Sequence, residues 1–169
     1  MNDTTRVAPM SRASIRKVTN DIRNWFEISS DKPFSIVKFV EHKLVEQAGF
    51  ILDIVPDSEM GGIYAEVIPA KRLFRIGETA YDNACDDRPH DRFTVAHEVG
   101  HLLLHTPDRV RFARTQNEIK PYENPEWQAN TFAGELLVHT DSIRGLSVED
   151  IANKYKVSYT VANIQKEKS

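Results

Sequence analysis

Residues 97–101 read His-Glu-Val-Gly-His, set inside Arg92-Phe93-Thr94-Val95-Ala96-His97-Glu98-Val99-Gly100-His101-Leu102-Leu103-Leu104-His105. Two histidines four residues apart on a helix share one face, separated by one turn and roughly 6 Å of rise. Both imidazoles then reach one zinc ion. Glu98, directly after the first histidine, is placed to hold and deprotonate the attacking water. If the segment is a helix that binds zinc, the chain is a metal-dependent hydrolase.

A hydrolytic zinc site takes three protein ligands and keeps one position open. His97 and His101 supply two. One zincin class places a third histidine six residues after the second, beyond a glycine turn. That position is Pro107 here, with no glycine between, so this solution fails. The other common solution takes a glutamate from a later helix. Glu126 begins a segment of helical spacing that opens at Pro125, a good first-turn residue. Asn130 follows it at i+4, on the same face, where it can accept the free N–H of a zinc-bound histidine and so fix the tautomer. Glu135 is a rival third ligand, more than two turns into the same helix. Candidates for stabilising a tetrahedral oxyanion are His105, Tyr122 and His139. His105 stands about 40° off the ligand face.

The rest of the chain supplies a mixed set of elements. Residues 1–10 are polar and read as a flexible N-terminal arm. Ile15, Val18, Ile22, Trp25 and Phe26 recur at helical spacing. A second helix follows Asp31-Lys32-Pro33, with Ile36, Val37, Phe39, Val40, Leu44 and Val45 on its apolar face and Gly49 as its stop. Phe50–Val55, Ile63–Ile68 and Leu73–Ile76 are short, β-branched and separated by turn residues, which reads as a small, mainly antiparallel sheet. Residues 78–86 form a short helix, and Asp91 is a candidate N-cap for the motif helix. Residues 108–124 read as a long connection. Residues 147–165 give two short helices and a tight turn, in outline a helix-turn-helix. Trp25, Phe26, Phe39, Trp127 and Phe132 are assigned to the core, and Lys71, Arg72 and Arg75 to a solvated strand face. Ile63 to Val67 is the candidate strand for holding an extended peptide by strand addition.

Arg92 to His105, taken with Glu126-Trp127-Gln128-Ala129-Asn130-Thr131-Phe132-Ala133-Gly134-Glu135-Leu136-Leu137, resembles the ImmA/IrrE family of zinc metallo-endopeptidases. The resemblance covers roughly residues 33–165. It implies zinc ligation by His97, His101 and Glu126, with Glu98 as general base. It further implies a bacterial or phage setting and action on a helix-turn-helix repressor or an antitoxin encoded nearby. The family's second motif usually ends Leu-Leu-Met-Pro, whereas this chain reads Leu136-Leu137-Val138-His139, which alters the helix exit. The expected fold is α+β: a zincin-like helical core with the small sheet beside the motif helix, built as one domain over residues 11–169.

Composition narrows the alternatives. The formal charge of −3 over 169 residues gives no strong field toward nucleic acid or anionic lipid. No apolar run approaches the roughly 20 residues of a membrane span. The single cysteine, Cys85, makes no internal disulfide and reads as a small, buried or half-buried side chain in a reducing, cytoplasmic setting. Two other functional classes compete with a protease. One is a zinc-fold binding partner that is latent or non-proteolytic. The other is a DNA-binding regulator using residues 148–164, but Tyr159 and Thr160 open its second helix where base-reading Arg, Asn or Gln side chains are wanted.

Overall fold

The computed structural model describes residues 5–112 and 118–169. Helix α1 (Arg12–Trp25) starts at Ser11, whose hydroxyl accepts the Ser14 N–H. A single α-helical turn, α2 (Ile36–Lys38), runs on as a π-helical segment, Phe39–Gln47. Gly49 follows at φ +72°, a left-handed conformation that favours glycine and turns the chain into the sheet. Strands β2 (Ile51–Val55), β3 (Ala65–Ile68) and β4 (Leu73–Gly77) lead to α3 (Glu78–Cys85) and to the motif helix α4 (Pro89–Leu104). Strand β5 (Val110–Phe112) precedes α5 (Pro125–Leu137), and α6 (Val148–Tyr155) and α7 (Tyr159–Lys168) close the described chain.

The α+β architecture is as expected, with a refinement in the sheet. Its order is β2-β4-β3, and β4 pairs antiparallel with β3 but parallel with β2. Phe74 and Ile76, both 1% exposed, give β4 the most buried side chains of the three strands, which suits the central place. Strand β1 (Thr5–Val7) pairs antiparallel with β5. Residues 5–10 therefore depart from the expected loose arm. Val7 and Met10 are buried, Ala8 N–H donates to the Arg109 carbonyl, and Met10 N–H donates to that of Tyr122. Residues 1–4 of that arm, and 113–117 of the expected connection, lie outside the described residues.

Helix α5 is the centre of the fold. From Gln128 to Leu137 all but Asn130 are buried, as in a helix covered on nearly every side. It packs along α4 and against α1 and α7. Full burial of Phe132, Leu136 and Leu137 is worth about 1.5–3 kcal/mol each. Two buried arginines close helix ends. Arg23 donates to the Leu136 and Leu137 carbonyls at 2.9 and 3.2 Å, occupying the altered exit of α5. Burial lowers its pKa to about 10. Arg92 of α4 donates to the carbonyls of Tyr155, Lys156 and Phe34, tying the motif helix to the end of α6. Such contacts satisfy the orphan carbonyls of a helix C-terminus and complement its dipole.

Several local expectations change. Trp25 is 46% exposed rather than core, its ring nearly perpendicular to that of Phe39 and its face under Lys43. Cys85 is exposed, because Ala80 and Ala84 take the inward positions of α3. Asp91 is not an N-cap; Arg88 holds that place and Asp91 sits in the first turn of α4. Arg75 faces Asp53, Glu59 and Glu66 at 3.4–3.6 Å, a paired strand face rather than a bare one. Among the described residues no helix is long and apolar enough to cross a membrane.

Candidate metal centre

Helices α4 and α5 meet at Gly100. A methyl group there would lie 3.0 Å from Phe132 Cδ1 and 3.2 Å from Ala129 Cα. The missing side chain lets the two backbones approach and brings the start of α5 alongside the histidines of α4. Asn124 caps α5 through the N–H groups of Glu126 and Trp127, which fixes the first turn carrying Glu126.

The result is a compact donor set. His97 Nε2 and His101 Nε2 are 3.0 Å apart. Glu126 presents Oε2 at 3.2 Å from His97 Nε2 and Oε1 at 3.1 Å from His101 Nε2. A tetrahedral ion with bonds of about 2.0–2.1 Å wants donors roughly 3.3 Å apart, close to these separations. The outer nitrogens match this use. His97 Nδ1 lies 2.8 Å from Asn130 Oδ1, an acceptor, so the hydrogen is on Nδ1 and the Nε2 lone pair is free. Two imidazole lone pairs converging on a carboxylate are mutually repulsive without a cation, and the three residues fit a divalent metal.

Glu98 lines the same cleft of about 470 Å³, together with His105, Pro125 and the strand residues Ala65, Glu66 and Val67. Burial, then the negative charges of Glu126 and Glu66, push its carboxyl up to about 7. Burial first, then neighbouring imidazole charge, lowers His101 and His105 to about 4. Strand β3 is a sheet edge, pairing on one side with β4. Thr5, Val7 and Val110 of the small β1–β5 ribbon line the cleft as well. A second groove of about 490 Å³ lies between α4, α5 and α7, with Phe93, Trp127, Val161 and Ile164 among its walls.

Of the residues read from the sequence, His97, Glu98, His101, Glu126 and Asn130 come together. Glu135 does not join them: it is 1% exposed and held by Arg12 at 2.9 Å and Arg16 at 2.8 Å. Of the three oxyanion candidates, only His105 lines the cleft. His139 binds the Ser142 hydroxyl and does not line the cleft, nor does Tyr122. His105 lines it, but both ring nitrogens are engaged, with His101 and Gln128. Sequence reasoning missed Gln128 and Glu66, which carry no motif spacing relative to the histidines.

Comparison with known proteins agrees with this geometry. The family model described as the IrrE N-terminal-like domain, peptidase M78, matches residues 74–165. No curated protein matches the chain. A solved structure described as a Mycobacterium tuberculosis transcriptional regulator shares the fold, with a TM-score of 0.57 at 10% identity over 89% of this chain. This chain spans 45% of the length of that protein. The donor triangle sits on a metallopeptidase-like fold, the family match covers more than half the sequence, and the chain belongs to the peptidase M78 family of IrrE N-terminal-like domains.

Proposed function

We propose that the protein is a zinc-dependent endopeptidase acting on a specific protein, a helix-turn-helix repressor or an antitoxin encoded nearby, in bacterial or phage regulation. The observation that carries this reading is the convergence of His97 Nε2, His101 Nε2 and the Glu126 carboxylate within 3.0–3.2 Å, beside Glu98 in one cleft. A zinc ion held by these residues supplies Lewis acidity, which makes a water nucleophilic near neutral pH and polarises a carbonyl. Glu98 takes the proton of the attacking water on its carboxylate and delivers it to the departing amine. The edge of β3, with Ala65, Glu66 and Val67 on the cleft, offers backbone groups to an extended peptide. Glu66 adds negative charge there, which favours a basic or neutral segment over an acidic one.

The test uses the purified full chain. Wild type is expected to bind zinc and to cleave the regulator encoded beside it. Glu98→Gln keeps the metal and loses cleavage, whereas His97→Ala and Glu126→Ala lose the metal. Zinc binding without cleavage under any activating condition overturns the protease reading. It would favour a zinc-fold partner that holds a regulator without cutting it. Direct DNA contact through α7 is not part of the proposal, since Ala162 and Gln165 face inward and Tyr159 and Thr160 lead its exposed start.

A further inference from the structure

His101 is held from behind as well as from the cleft. Its Nδ1 lies 2.8 Å from Nδ1 of His105. His105 Nε2 lies 3.1 Å from Gln128 Oε1. Gln128 Nε2 lies 2.9 Å from the Ala8 carbonyl and 2.8 Å from that of Tyr122. His105 is 6% exposed and Gln128 1%.

The hydrogens of this chain follow by elimination. Carbonyl oxygens only accept, so the end of the Gln128 amide that faces two of them is its NH2, and the other end is oxygen. An amide oxygen also only accepts, so His105 carries a hydrogen on Nε2. A histidine that offers its Nε2 lone pair to a metal carries its hydrogen on Nδ1. His101 therefore donates to His105 Nδ1, which is a bare acceptor in a neutral ring already protonated on Nε2. A hydrogen on both nitrogens of His105 would force the one on His101 to Nε2, where a metal must bind. Every assignment runs in one direction, from the cleft to the backbone of residues 8 and 122.

We infer that His105 and Gln128 are positioning residues that set the tautomer and ring orientation of His101 as a metal ligand, anchored on the backbone of the N-terminal segment. This rests on the reading of His97, His101 and Glu126 as metal ligands. The relay explains why a buried imidazole and a buried amide are kept in the wall of an apolar core. All their polar atoms have partners, which a buried polar group needs to be tolerated. It also links the docking of residues 5–10 to the metal centre, because the Ala8 carbonyl helps decide which way the Gln128 amide faces.

The test measures zinc affinity of the full chain by competition with a chromophoric chelator, alongside imidazole ¹⁵N spectra. His105→Phe keeps the volume and removes the acceptor, so zinc binding is expected to weaken about 10–100-fold. His105→Asn returns an acceptor oxygen near the former Nδ1 and is expected to recover most of the loss. Gln128→Met shifts affinity in the same direction as His105→Phe. In wild type, His101 Nδ1 is expected to show as N–H and His105 Nδ1 as a bare nitrogen, a readout that does not depend on any variant folding. Wild type that binds no zinc overturns the metal-site reading and this inference with it. Wild type that binds zinc while a folded His105→Phe binds equally well overturns the relay alone, whereas a spectrum of the zinc-loaded protein with the hydrogen of His101 on Nε2 overturns both the relay and ligation through that nitrogen.

Discussion

Asn130 Oδ1 lies 2.8 Å from His97 Nδ1, across the seam between α4 and α5. The two residues are on different helices, and the contact exists because Gly100 lets those helices close. It gives His97 what the His105–Gln128 pair gives His101, but with an exposed amide instead of a buried relay. The two histidines thus have contacts of equal length to partners of unequal burial.

The consequence for metal binding is measurable. Asn130→Ala is expected to weaken zinc binding by about tenfold, the lower end of the range for removing a group that orients a metal-bound histidine. Asn130→Asp keeps an acceptor and should bind near the wild-type level. Chelator competition on the folded proteins decides it. Equal binding by Asn130→Ala and wild type would remove Asn130 from any part in the site.

The close approach at Gly100 gives a second expectation. The added methyl of Gly100→Ala meets backbone at Ala129 Cα, 3.2 Å away, which cannot rotate aside. Overpacking costs about 1–3 kcal/mol and outweighs the roughly 1 kcal/mol that alanine gains over glycine in a helix. Urea unfolding should show lower stability. Zinc affinity should fall as well, because Ala129 lies between Glu126 and Asn130. A variant with unchanged stability and zinc binding would show that the helix seam yields freely.

The titrating groups of the cleft predict how stability varies with pH in the metal-free protein. His101 and His105 sit near 4 when folded, against an ordinary value of about 6.5. Their contribution is present above pH 6.5 and lost as pH falls toward 4. Glu98 runs the other way: raised to about 7, its contribution is present below its unfolded value of about 4.5 and lost as pH rises through 7. His139, also lowered by burial, adds to the histidine side. Between pH 5 and 6 the unfolded chain binds the larger number of protons, so stability rises with pH. Each net proton is worth about 1.4 kcal/mol per pH unit. Urea unfolding in chelator at pH 5 and pH 6 is expected to show that rise, and His105→Phe to reduce the slope by about one proton. An unaltered slope in that variant would assign the dependence to other groups.

Much of the site was legible before any fold was known. The i, i+4 spacing of His97 and His101 on an apolar periodic segment, and the proline opening the helix of Glu126, are local patterns. Glu126 and Asn130 share a face for the same reason. The choice between Glu126 and Glu135 was less local. It was settled by Arg12 and Arg16, more than a hundred positions away along the chain, which occupy Glu135. The exposure of Trp25 was illegible because helical spacing marks a face but not whether a neighbour covers all of it.

By itself, the order of residues determined the main helices and the three strands of the larger sheet (though not β1 or β5), the pair of imidazoles on one helical face, and the carboxylates available to join them. These depend on interactions within a turn or two, where spacing and residue type suffice. Only the tertiary structure decided that β2 lies parallel to β4, that residues 5–10 are bound to the body, and that His105 turns its ring nitrogens to His101 and Gln128 instead of a substrate. Those outcomes depend on which buried donors and acceptors meet once distant segments are pressed together, and no local pattern encodes such a meeting.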